Sequence, residues 1–137
     1  MANLSAATAA EISAVLIIEE FTAPAEEALS AGDVVRLNTT TGYITHAKDT
    51  GAAEARVAGI LLNTVAANRT GTVLRTGIVD MGDILGDLDY DADVYLSATD
   101  GLLADAAVTS PGTSKIVGTV FPGFGNTTPD KLLRVDL

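Results

Sequence analysis

Apolar positions along this 137-residue chain fall into short, β-branched runs separated by glycine, asparagine, aspartate and proline. The first run, Ala14-Val15-Leu16-Ile17-Ile18-Glu19-Glu20-Phe21, is too short for a typical helix and predicts a strand. Ahead of it, residues 1–13 are small and polar and bury little by themselves. They read as an arm, weakly helical or extended, that orders on a partner. Behind it, Pro24 followed by Glu26 and Glu27 predicts a single helical turn over residues 24–30. Ala31-Gly32-Asp33 then breaks the chain.

From Asp33 onward the pattern is β throughout. Asp33–Asn38 alternates, with Val35 and Leu37 on one face, Thr39–Gly42 is a turn, and Tyr43–Ala47 returns. Arg56–Asn63 and Thr72–Asp80 are longer apolar segments. Asp93–Thr99 leads through Asp100-Gly101 into Leu102–Ala104, and that Asp-Gly pair predicts a type I′ hairpin turn with positive φ at both central residues. Lys115–Phe121 and Lys131–Asp136 are the last strands, with a loop over Pro122–Pro129. Turns every 8–12 residues between short strands predict an all-β fold, a small antiparallel β-barrel or compact sandwich with at most one or two short helices. The expected organisation is a flexible N-terminal arm, 1–13, and a single β domain, 14–137.

The chain also echoes itself. A shift of 59 residues carries Gly42 onto Gly101, Ala47 onto Ala106 and Gly59 onto Gly118. One residue off that register, Asp33-Val34 meets Asp93-Val94. The predicted building block is therefore a hairpin plus a returning strand, used twice, with Gly59 and Gly118 at bulges or close backbone approaches.

Composition narrows the function classes. Hydrophobic residues at 47% and a mean hydropathy of +0.33 exclude global disorder. Surface scaling predicts that a chain of this mass folds to about 6,700 Å² of accessible surface. The absence of cysteine excludes disulfides and thiolate chemistry, and the single histidine, His46, leaves one candidate imidazole base. A net charge of −10 argues against a nucleic-acid partner. Eight aspartates, Asp80 to Asp105, lie in one stretch without Lys or Arg, so one acidic face or loop carries most of the charge. Residues 1–18 lack the basic start of a signal peptide, and Ala14–Ile18 is far too short to span a bilayer, so no membrane association is expected. Four glycosylation sequons, at Asn3, Asn38, Asn68 and Asn126, are read as coincidence in a threonine-rich chain.

Catalytic constellations do not assemble. No Gly-x-Ser-x-Gly elbow accompanies His46, which falls in a predicted strand on the face of Ile44. No phosphate loop or dinucleotide fingerprint is present. Asp87, Asp89, Asp91 and Asp93 imitate the start of a calcium loop. However, the EF-hand positions for glycine and glutamate hold Ala92 and Ala98, or Val94 and Asp100 in the alternative register. Irregular calcium binding by this stretch, or a glycan-binding surface module, stays open beside a hydrated acidic loop. The chain reads as an interaction protein, not an enzyme, with no cofactor.

Ala31-Gly32-Asp33-Val34-Val35-Arg36-Leu37, Thr41-Gly42-Tyr43-Ile44, Arg56-Val57-Ala58-Gly59-Ile60, Gly71-Thr72-Val73 and Gly77-Ile78-Val79 resemble, in that order, the head decoration (capsid cement) proteins of tailed bacteriophages. Asp93-Val94-Tyr95-Leu96-Ser97, Asp100-Gly101 and Ile116-Val117-Gly118-Thr119-Val120 resemble that family's second half. The resemblance implies a non-enzymatic virion protein, made in the host cytoplasm and seated on the outer capsid surface. It implies a homotrimer that clamps neighbouring major capsid proteins, with an N-terminal arm touching the shell or a sister subunit. Under that reading the candidate contact residues are Leu4 and Ile12 of the arm and Val15, Leu16, Ile17 and Ile18 of the first strand, with Asp80–Asp105 facing solvent. A tail or baseplate β-domain is the alternative within virions.

Overall fold

The computed structural model of the protein describes residues 3–109, 112–123 and 130–137. Among the described residues nine strands form one curled antiparallel sheet: β1 (Ser13–Pro24), β2 (Val34–Leu37), β3 (Ile44–His46), β4 (Val57–Leu61), β5 (Thr70–Asp80), β6 (Asp93–Leu96), β7 (Leu103–Ala104), β8 (Ile116–Pro122) and β9 (Lys131–Asp136). The all-β expectation is met, and the helix content among the described residues is one 3-10 turn at Ala9–Glu11. The accessible surface, 6815 Å², is what scaling predicts for a folded chain of this size. Residues 124–129 of the expected Pro122–Pro129 loop lie outside the described residues.

Strand order is β3-β2-β4-β5-β9-β8-β6-β7, which reads as a unit and its reverse joined at β5·β9. The internal echo is thus structural. In β2·β3, Arg36 pairs with Thr45 and Leu37 with Ile44; in β6·β7, Tyr95 pairs with Ala104 and Leu96 with Leu103. Likewise Val35 and Arg36 pair with Gly59 and Val57, and Val94 and Tyr95 with Gly118 and Ile116. Each pairing is carried into its copy by the same shift of 59 (35 to 94), including the bulge that leaves Ala58 or Val117 without a ladder partner. Val35, not Val34, therefore corresponds to Val94, which removes the one-residue offset expected at the first strand of the repeat.

The long strand β5 links the two units. One of its sides pairs with β1 along its whole length. Its other side pairs with β4 at Val73 and Leu74 and with β9 from Thr76 to Val79. The change of partner falls at Arg75, which is skipped between the pairs Glu20–Leu74 and Glu19–Thr76. A skipped residue reverses the in–out alternation beyond it. Accordingly, a Cβ on Gly77 would lie only 3.1 Å from Leu74 Cδ1, so Leu74 and Gly77 share a face.

Two hydrophobic clusters result. The main core gathers Val34, Ile60 and Leu74 of the first unit with Val94, Leu103, Val120 and Leu133 of the second, together with Met81 and Leu85 from the acidic stretch. A smaller core, Val35, Ile44, Leu61 and Val73, lies on the other face of the first unit under Ala25 and Leu29.

Three local expectations change. Residues 24–30 form no helix: Ala25 bridges Ile44, Leu29 bridges Val65, and both are fully buried as the lid of the smaller core. At Asp100-Gly101 only Gly101 has positive φ, so the turn is not type I′; Leu102 N–H donates to Thr99 C=O at 3.3 Å. The N-terminal segment does not behave as a free arm from Asn3 on. Asn3 bridges Ala104, Leu4 N–H donates to Leu103 C=O at 3.0 Å, and Leu4, Ala7 and Ile12 pack on the main core. Glu26 N–H makes the equivalent bond to Ile44 C=O, the repeat partner of Leu103. Residues 3–12 thus cap the second unit as residues 25–29 cap the first.

Candidate interaction surface

β1 carries the feature that needs a function. An apolar strand at a sheet margin is normally covered, shortened or interrupted by charge, because its free backbone groups recruit other strands. From Ser13 to Glu20 every residue of β1 is exposed, and among the described residues β1 pairs with β5 alone. Val15, Leu16 and Ile17 are 47–49% exposed and Ile18 is 67% exposed. The register against β5 skips Val15 and Ile18, so bulges break the ladder on both sides of Leu16-Ile17. Bulges twist a margin away from further pairing. The strand therefore exposes apolar side chains and presents little regular hydrogen-bonding edge.

The exposed strip continues onto the outer face of the second unit. Val15, Leu16 and Ile18 line a groove of ≈ 640 Å³ with Ile78, Phe121 and Arg134. The register explains the floor: Leu16 pairs with Ile78, Ile78 with Arg134, and Arg134 with Thr119, four side chains abreast across β1, β5, β9 and β8. Arg134 sits over the Phe121 ring, 5.9 Å from guanidinium carbon to centroid. Ile116, also on β8, is 45% exposed. At the end of the strip Glu19 meets Arg75 at 3.5 Å.

The six residues expected to make contacts divide sharply. Val15, Leu16, Ile17 and Ile18 lie together on this surface. Leu4 and Ile12 do not: both pack against the chain's own main core.

The acidic stretch faces solvent, with Asp83, Asp87, Asp89, Asp91, Asp93, Asp100 and Asp105 exposed. Its loop carbonyls are already engaged, since Lys131 Nζ donates to Gly86 C=O at 3.0 Å and to Leu88 C=O. The same ammonium lies 5.3 Å from the Tyr90 ring centroid. Among the described residues no group of three or more metal-ligating side chains is assembled.

His46 is half-buried in β3, as its strand position implies, but its partners were not visible in the sequence. Nε2 lies 3.0 Å from Asp33 Oδ2 and Nδ1 lies 3.3 Å from Glu27 Oε1. Thr45 Oγ1 donates to the other oxygen of Glu27. No serine or cysteine nucleophile appears among these contacts. Asp49, which the sequence did not single out either, is fully buried and accepts hydrogen bonds from Thr113 N–H at 2.7 Å, Thr113 Oγ1 at 2.9 Å and Lys115 N–H at 3.1 Å. It holds residues 112–115 against the first unit, which is a structural task.

No family model matches the chain, and no curated protein matches it. No helix among the described residues is long and apolar enough to cross a membrane.

Proposed function

We propose that this chain is a non-enzymatic structural protein of a virion, a homotrimer that binds the outer surface of the assembled capsid and stabilises it by clamping neighbouring major capsid proteins. The observation that carries the proposal is the bulged, exposed apolar strand Val15–Ile18 with its groove, on a compact β body whose acids face solvent. Apolar side chains on a rigid margin suit a contact repeated over a lattice. Burial of unpaired carboxylates would cost more than such a contact returns, so the acidic stretch points outward. A protein that binds only the assembled shell stabilises it by mass action, about 2.7 kcal/mol per site at a hundredfold excess over Kd.

Co-sedimentation with assembled shells of a tailed-phage major capsid protein tests the reading. The double variant Leu16→Lys, Ile18→Lys should lose at least about tenfold in binding, the equivalent of 1.4 kcal/mol, while keeping its fold, because both positions are exposed. Asp87, Asp89 and Asp91 changed together to lysine should still bind at moderate salt. Binding that survives the first variant and collapses in the second would invert the orientation. Absence from the particle in electron micrographs, or a place on the tail, would end the capsid reading.

A further inference from the structure

The only histidine of the chain joins parts that are far apart in sequence. Glu27 and Asp33 belong to the connection between β1 and β2, and His46 ends β3. The turn between β6 and β7 lies against the ring, where a Cβ on Gly101 would come within 2.6 Å of His46 Cδ2. That turn belongs to the second unit and is stitched across the first. Val34 N–H donates to Gly101 C=O at 3.0 Å, and Gly101 N–H donates to Ala47 C=O at 2.9 Å. Lys48 meets Asp100 at 3.5 Å beside it.

The ring's hydrogen bonding sets its protonation state. A neutral imidazole has one N–H and one lone pair. Here each ring nitrogen faces a carboxylate, Asp33 at 3.0 Å and Glu27 at 3.3 Å. A neutral ring leaves one carboxylate facing a lone pair; only the imidazolium donates to both. The other charged groups of the site are Asp100 and Lys48 from the neighbouring turn and strand end. Loss of the imidazolium therefore leaves three carboxylates against a single ammonium.

We infer that His46 is a protonation-dependent clasp of the first unit at its joint with the second: as imidazolium it ties Glu27 and Asp33 to β3 beneath the second unit's Thr99–Leu102 turn, and as neutral imidazole it lets that seat loosen.

The electrostatics agree in direction. The hydrogen bond to Asp33 raises the His46 pKa above the ordinary histidine value; burial opposes this, and the charges of Asp33, Glu27 and Asp100 reinforce it. Burial pushes the Glu27 carboxyl up, but the Thr45 hydrogen bond and His46 outweigh it and hold the carboxyl low. A histidine whose folded pKa is raised contributes stability that is complete below its unfolded value, about 6.5, and lost as pH rises through the folded value. Glu27 contributes above its unfolded value and is lost as pH falls through its depressed one. The clasp is closed between these limits and opens on the alkaline side.

Three measurements on the full chain test this. The imidazole resonances of the sole histidine should titrate with a midpoint above 6.5; a midpoint at or below that value overturns the inference. Between pH 6 and pH 9 the melting temperature should fall in the parent protein and stay flat over that window in His46→Gln. An equal fall in the variant assigns the effect to another group, such as the α-amino terminus, and overturns it. Amide exchange at Gly101 and Val34, corrected for the intrinsic rate, should lose about tenfold in protection over the same range; unchanged protection overturns the link between the ring and the joint. Should His46→Gln not fold, Glu27→Gln supplies the same comparison, with the pH-dependent fall in melting temperature reduced if the clasp is real and unchanged if it is not.

Discussion

Residues 34–61 and 93–120 pair their strands in the same register, bulge for bulge, yet turn opposite faces to the shared core. Val35, Ile44 and Leu61 of the first unit lie in the smaller cluster; their counterparts Val94, Leu103 and Val120 lie in the main one. The skipped Arg75 explains the inversion, because β5 enters the second unit with its alternation reversed. Backbone pairing is thus set by the repeat, whereas burial is set by how the two copies are joined. The inversion has a further consequence. The first unit must cover its second face, and does so with Ala25 and Leu29. The second unit leaves its outer face open, and that face, with the bulged β1 beside it, is the proposed contact surface.

The sharpest way to break the equivalence of the units is at their shared glycines. A Cβ on Gly59 would lie 2.2 Å from Leu74 C=O, and one on Gly118 would lie 2.1 Å from Arg134 C=O. Both obstacles are backbone oxygens inside a ladder and cannot step aside. Gly59→Ala and Gly118→Ala should each cost about 3 kcal/mol or more, at the upper end of overpacking penalties, measured as a shift in the urea midpoint. Tolerance of either substitution would show that one copy does not need the close approach, and the structural repeat would be superficial there.

The two caps should separate more clearly. Leu29 is 1% exposed and closes the smaller core, so Leu29→Ala should cost about 3 kcal/mol, within the range for buried leucines. Leu4 plays the corresponding part for the second unit but is only partly buried. Leu4→Ala should cost about 1 kcal/mol, the transfer of one or two methylenes. Equal costs would mean that the N-terminal segment holds the second unit as firmly as residues 25–29 hold the first. No cost at Leu4 would return residues 3–12 to the status of a free arm.

Legibility from sequence follows the same division. Strands from β2 onward were visible because period-two alternation and hairpin punctuation are local, and the repeat was visible because Gly59 and Gly118 answer backbone contacts that no other residue permits. The face inversion was not, since the skip at Arg75 falls where β5 passes from β4 to β9, a change of partner that no local pattern marks. Residues 24–30 looked helical because proline and acids are local signals, whereas their bridges to Ile44 and Val65 are not. The partners of His46 lie 13 and 19 residues away, and no spacing rule finds them. Of the proposed contact residues, Val15–Ile18 were legible as an apolar run, but a run of that composition is equally a core strand; its exposure comes from its place at the margin.

The finest comparison is between the two hairpin turns. Gly42 and Gly101 are repeat partners, with φ of 75° and 70°. Their backbones ask the same thing of the residue: a left-handed conformation that costs an L side chain about 1–2 kcal/mol. Their surroundings differ. Nothing lies within 4 Å of a Cβ on Gly42, because the first hairpin turn projects freely. A Cβ on Gly101 meets His46 Cδ2 at 2.6 Å, and that ring is held at both nitrogens. Gly101→Ala should therefore cost about 2 kcal/mol, strain plus a neighbour that gives way only by surrendering its carboxylates. Gly42→Ala should cost about 1 kcal/mol, and Gly42→Asn only a few tenths, since asparagine tolerates the left-handed region. The difference between the two alanine variants isolates docking of the second turn onto the first unit. It should shrink in a His46→Gln background and at pH 9, where the ring is no longer clamped. Equal costs at both glycines under all conditions would mean that the second turn merely touches the first unit, and that the joint between the units lies elsewhere in the sheet.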